Sequence, residues 1–233
     1  MSKRVCVFCG GSPLTLEDAW PVWLANLVFP PGFVVRKSRG APANMHAFNT
    51  TDIYVKVRQV CAACNNGWMS DLETGMESLL TPWLKGLPTS PGLVEQQRIA
   101  TWTVKTAMML QFTRTGIRPV PPAHFTQLYA RKTRPPDHSY VFIGVEPDTV
   151  YLPRAWLHMG TRPIEQVDLR GLAPTSKLHL AYEATIIVQH LVLTVLGYEG
   201  PELQLGRHLT LGRHLFRVWP PVSSRGILLP SRN

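Results

Sequence analysis

The chain has four cysteines, and they stand in two tight pairs, Cys6-Val7-Phe8-Cys9 and Cys61-Ala62-Ala63-Cys64. A two-residue spacer brings both sulfurs of a pair to one side of a tight turn, so each pair is a metal-binding knuckle and two knuckles complete a tetrahedron. Joining knuckles this far apart ties the N-terminus to residues 61–64 and closes everything between them into a loop. The opening "MSKRVCVFCG" has no apolar run followed by a small-residue cleavage site, and no stretch of 18 or more apolar residues occurs, so a cytoplasmic protein is expected. In a reducing compartment such pairs serve metals more often than disulfides. Four thiolates leave no position for water, so the expectation is one structural Zn²⁺ on Cys6, Cys9, Cys61 and Cys64.

The rest of the chain reads as mixed helix and strand. The Gly/Pro/Ser-rich "LKGLPTSPG" at 84–92 punctuates it and suggests a zinc-binding unit over 1–90 and an α+β domain over 91–233. Residues 94–113 place Ile99, Trp102, Ala107 and Leu110 on a helical repeat, which predicts a helix. The aliphatic and β-branched runs at 139–146 and 184–199 predict antiparallel strands, the second being two strands or one long one with Gly197 near its end. The twin LGRHL segments within 205–215 have too short a period for a solenoid and read as a hairpin or local duplication, and the Pro/Ser/Arg-rich tail as surface chain. Trp20, Trp23, Trp68 and Trp102 lie in apolar contexts and are expected in the core rather than as base-stacking platforms.

Two stretches, "CVFCGGSPLTLEDAWPVWL" and "VRQVCAACNNGWMSDLE", carry a resemblance. The order CxxC, then an LTxEHxxPxWL-like segment, then CxxCN is similar to the four-cysteine zinc branch of the HNH endonucleases, of phage and actinobacterial type. "QQRIATWTVKTAMM" resembles a helix that accompanies the motif. With the loop between them the matching stretches span about a third of the chain. The resemblance implies a zinc-stapled ββα-metal unit and hydrolysis of a DNA phosphodiester, in which a histidine activates water and a carboxylate and a later His or Asn hold Mg²⁺ or Mn²⁺. By position Glu17 matches the carboxylate, Asn65 the last metal ligand, and Asp18 stands where the histidine belongs; the middle Asn falls near Lys56 and is missing too. An aspartate is a weaker base than a histidine by roughly 2.6 pKa units. His46, in the loop between the knuckles, reads as a loop histidine without a ligand role, and the remaining histidines do not cluster.

Charge points to the partner. The 24 Lys and Arg against 15 Asp and Glu give +9, which favours a polyanion. No acidic residue occurs from Gln96 to Pro136, where Arg98, Lys105, Arg114, Arg118, Arg131, Lys132 and Arg134 fall, and none follows Glu202; Arg36, Lys37, Arg39, Lys56 and Arg58 add a third group. Of these, Arg36, Lys37, Arg39, Lys56, Arg58, Lys105, Arg131, Lys132 and Arg134 are the candidate contacts to double-stranded DNA, which would make the protein nucleoid-associated. The leading expectation is therefore a DNA-binding protein on a degenerate HNH scaffold, a reader of DNA structure or of a modified, for instance methylated, base. The alternatives are an active endonuclease using Glu17, Asp18 and Asn65, and a zinc-stabilised protein-interaction module.

Overall fold

A computed structural model describes residues 4–28, 35–39, 46–50, 56–85, 87–113, 118–145, 155–163, 180–189, 191–199 and 215–221; for 35–39, 46–50, 145, 155–163 and 180–181 it is the backbone course that is described. The fold is α+β with antiparallel sheets. Its N-terminal part starts with β1 (Leu14–Asp18), α1 (Val22–Val28), β2 (Val35–Arg39), β3 (His46–Thr50) and β4 (Lys56–Cys61). A helical run follows directly: α2 (Ala62–Cys64), a wide turn Asn65–Met69, α3 (Ser70–Thr74) and α4 (Met76–Leu84). The run bends at Gly67, whose ψ of −119° lies outside the helical region.

β1 pairs with β4, and β2 with β3, each pair antiparallel. The β1–β4 ladder carries an irregularity: Thr15 faces Val60, but Glu17 faces Val57, so β4 holds one residue more than β1 across that step. Such a bulge re-aims side chains. Here it sets Glu17 opposite the buried Val57 and turns Glu17 inward, while its neighbour Leu16 is half exposed.

The predicted helix over 94–113 is α5 (Leu93–Leu110) with one tighter turn at Gln111–Thr113. Its start is fixed by Glu95, whose Oε2 accepts the Gly92 backbone N–H at 2.7 Å, inside the expected punctuation at 84–92. From Ile99 to Leu110 every residue is buried, Lys105 included. A helix covered on all sides is an axle of the core rather than a surface element. After α6 (Pro122–Arg131) come β5 (Ser139–Val145), β6 (Ala155–Pro163), β7 (Leu180–Val188), β8 (Leu191–Gly197) and β9 (Leu215–Trp219), in one antiparallel sheet ordered β6-β7-β8-β5-β9. The expected run at 184–199 is thus two strands, β7 and β8, turned at Gln189 with a left-handed φ of 52°.

Val141, Ile143, Ala184, Ile186, Leu193, Val195 and Val218 from the sheet join one apolar core with Ile99, Trp102, Val104 and Met108 of α5 and with Leu24, Trp68, Met76 and Leu80 of the N-terminal part. Trp20, Trp68 and Trp102 are buried as expected, and Trp23 is half-buried against Trp102 at 6.5 Å between rings. The side chain of His46, both LGRHL copies up to His214 and the tail beyond Pro221 lie outside the described residues.

Candidate functional site: a cysteine cluster and an adjoining acidic cleft

The first knuckle is built by backbone hydrogen bonds. Cys6 N–H donates to Gly11 O at 2.8 Å and Gly10 N–H to Cys6 O at 2.9 Å, with Gly10 at φ +72°, a conformation side chains disfavour. Gly11 N–H points at Cys9 Sγ, 3.4 Å away, and a Cβ on Gly11 would sit 3.2 Å from that sulfur. Val7 N–H donates to Gln59 O at 3.0 Å and so locks the knuckle onto β4. The second knuckle is the passage from β4 into α2, with Cys61 at the helix start. Phe8 between the first two cysteines packs edge-on against Trp68 and tilted against Phe125 of α6, so the first knuckle is also held by aromatic contacts.

All four sulfurs lie within 4.8 Å of one another, Cys9 and Cys61 at 3.5 Å. Tetrahedral Zn–S bonds of about 2.3 Å place sulfurs about 3.8 Å apart, so the spacing suits a metal ion such as zinc. Ionisation argues the same way. Burial holds the Cys9 and Cys64 thiols above their ordinary pKa. Burial opposes ionisation of Cys61 as well, but the Cys64 backbone N–H and the neighbouring thiols outweigh it and bring Cys61 down to about 7. A divalent cation is what allows four such sulfurs to be thiolates together.

The helical run that leaves Cys64 delivers the next residues to a cleft of about 500 Å³ lined by Glu17, Asp18, Val22, Trp23, Asn26, Asn65, Asn66, Ser70 and Glu73. Asn65 is anchored from one end: its Nδ2 donates to Thr15 Oγ1 at 3.2 Å and to Leu16 O at 3.0 Å, which leaves its oxygen for other partners. Asp18 ends β1 opposite Lys56, whose Nζ is 3.7 Å from Asp18 Oδ1; that oxygen makes no hydrogen bond. Glu17 is 5% exposed and gives Oε1 to Lys105 Nζ at 3.1 Å, and the same ammonium meets Glu73 Oε1 at 2.5 Å. Burial raises the pKa of the Glu17 carboxyl; Lys105 opposes this, and Glu73 and Asp18 add to it.

The structure therefore brings Glu17, Asp18 and Asn65 together, as the motif order suggested, and adds Asn66, Ser70, Glu73 and Lys105. The position of Lys105 corrects its expected role as a DNA contact: it is 1% exposed and spends its charge on two carboxylates. Its signal in the sequence was its isolation, a single charge within the apolar stretch 99–112. A buried ammonium needs a carboxylate, and none is available between Gln96 and Pro136, so the partner had to come from elsewhere. Ser70 and Glu73, three residues apart, share one helix face and carried a weaker signal.

A hydrolytic divalent cation of the kind implied by the resemblance does not fit this donor set. The carboxylate that would hold it is already tied to an internal ammonium, and no histidine is among the described residues that line the cleft.

Of the remaining candidate contacts, Lys56 and Arg58 are exposed on β4 beside the cleft. Arg131 makes a two-pronged pair with Asp137 at 2.8 and 2.5 Å, so its charge is largely spent. Lys132 is exposed and lies over the Tyr129 ring at 5.3 Å, and Arg134 is exposed. Their loop is held to the central helix, since Gln97 Nε2 and Thr101 Oγ1 both donate to Thr133 O. The side chains of Arg36, Lys37 and Arg39 lie outside the described residues; β2 carries all three. No helix among the described residues is long and apolar enough to cross a membrane. Comparison of the chain with family models, with curated proteins and with solved structures gives no match.

Proposed function

We propose that this protein binds double-stranded DNA on an HNH-like unit held by one structural zinc ion, and that it does not cleave the DNA it binds. The observation that carries the reading is the cleft. Two paired strands and the helix that follows bring Glu17, Asp18 and Asn65 into one wall beside the cysteine cluster, in the order of the HNH motif, while the parts needed for hydrolysis are replaced. Asp18 takes the place of the base, and Lys105 holds the carboxylate that would hold the metal.

The charge distribution supports the partner. The net +9 favours a polyanion, and Arg58, Lys132 and Arg134 supply exposed cations for phosphates, while Lys56 is shared with Asp18. The cleft wall itself is acidic, so phosphates would ride on these cations. Cleft carboxylates would accept from donor-bearing base edges such as the cytosine amino group.

The test is a mobility-shift and nicking assay on the zinc-loaded protein with plasmid and with short duplexes, unmodified and cytosine-methylated, in Mg²⁺, Mn²⁺ or neither. A shift without nicking is expected, weakening linearly in log salt by about 0.9 for each phosphate neutralised. Arg134→Ala should lower that slope by about 1. Absence of a shift would remove the DNA reading, and metal-dependent nicking would remove its non-cleaving part. Asp18→His alone should not restore nicking, because Lys105 still holds Glu17.

A further inference from the structure

Lys105 reaches the cleft from behind. It leaves α5 where that helix is buried on every side, and its ammonium ends between Glu17 of β1 and Glu73 of α3, 3.1 and 2.5 Å from their oxygens. Local stabilisation of α5 does not explain this, because the partners lie 88 and 32 residues away in the chain. One carboxylate would neutralise the lysine; two, with Asp18 beside Glu17, do more.

We propose that Lys105 is the resident cation of the cleft. It is a positioning residue whose ammonium occupies the place between Glu17 and Glu73 that a divalent ion would otherwise take, fixes the two carboxylates, and makes the acidic wall independent of added metal. The charges of the wall are Glu17, Asp18 and Glu73 against Lys105 and Lys56, which leaves one negative charge in excess. Without Lys105 the excess is two, the charge of one divalent ion. The oxygens of Glu17 and Glu73 already converge on one point, the lysine nitrogen, so a divalent ion placed there would need them to close in by about 1 Å or less. Oxygen donors from carboxylates suit Mg²⁺ or Mn²⁺. The proposal does not rest on the DNA reading, since it concerns what the protein binds alone.

The experiment is a Mn²⁺ titration of the zinc-loaded full chain, following free Mn²⁺ by electron paramagnetic resonance, for wild type, Lys105→Met and Lys105→Met/Glu73→Gln. Wild type should show no saturable site at millimolar Mn²⁺. Lys105→Met should take up one ion at least about a hundredfold more tightly, because a like charge a few ångströms away has been removed. The double variant should lose most of that gain. Equal Mn²⁺ affinity in wild type and Lys105→Met would overturn the proposal, as would a Lys105→Met protein that gains none. Zinc content and circular dichroism establish that each variant is folded. Should Lys105→Met fail to fold, wild type alone decides: Mn²⁺ broadening of the Trp23 indole resonance would place an ion in the cleft beside the lysine and overturn the proposal, and an unbroadened resonance would uphold it.

Discussion

His124 shows how far a single side chain depends on its surroundings. On α6 it is 2% exposed, its Nε2 is 3.1 Å from Tyr198 O and its Nδ1 3.1 Å from Tyr182 Oη. The carbonyl can only accept, so Nε2 carries the proton and Tyr182 donates to Nδ1. Burial lowers the His124 pKa to about 4, with His138 adding and the Tyr198 carbonyl and Asp137 opposing. The unfolded ring takes a proton near pH 6.5 and the folded ring refuses it until about 4, so stability present above 6.5 is lost as pH falls between these values. The full loss is about 3 kcal/mol. Comparing the melting of wild type and His124→Gln from pH 7 to 4 isolates this contribution from acid release of metal, which both share; parallel curves would refute it. None of this is legible in "PPAHFTQLYAR", because both partners sit more than 50 residues away. Lys105 is comparable: its isolation could be read, its partners could not. Substituting it by Met should cost about 3–5 kcal/mol, the usual result of stranding one side of a buried ion pair, read from urea unfolding of the metal-loaded protein.

At the scale of elements the sequence was more open. The knuckles, the helix over 94–113 and the strands at 139–146 and 184–199 rest on local patterns, spacing for the first and periodicity for the others, and such patterns need no knowledge of neighbours. The bulge between β1 and β4 was hidden, since one extra residue in a ladder is defined by the partner strand. Gly197 marks another such limit. Its place near the end of β8 was visible, but the reason for a glycine is the Tyr182 ring across the ladder, 2.4 Å from where a Cβ would stand. That ring is fully buried and hydrogen-bonded to His124, so it cannot swing aside. Gly197→Ala should therefore destabilise by about 1–3 kcal/mol through overpacking. Chemical denaturation measures it, and Gly197→Ala combined with Tyr182→Leu should recover part of the loss.

The whole molecule turns on α5, which shares one apolar core with the cysteine-bearing part on one side and the five-stranded sheet on the other. Cys61→Ser should release the metal and, because the core is continuous, unfold the sheet in the same transition. Metal release followed with a colorimetric chelator, alongside near-ultraviolet circular dichroism, tests this; a sheet signal that survives metal loss would show two independent halves. This arrangement also has a use of another kind. Asp18 and Lys56 face each other across the β1–β4 ladder, and β2 and β3 pair only with one another among the described residues. Both ends of the chain between Val28 and Lys56 are held by elements of the N-terminal part, α1 with Leu24, Ala25 and Val28 buried and β4 paired with β1. Lengthening a loop costs only about 0.6 kcal/mol per doubling. A fluorescent domain grafted between Val28 and Lys56 would enter the chain a short distance from the cleft, because Asn26 and Asp18 line it and Lys56 pairs with Asp18.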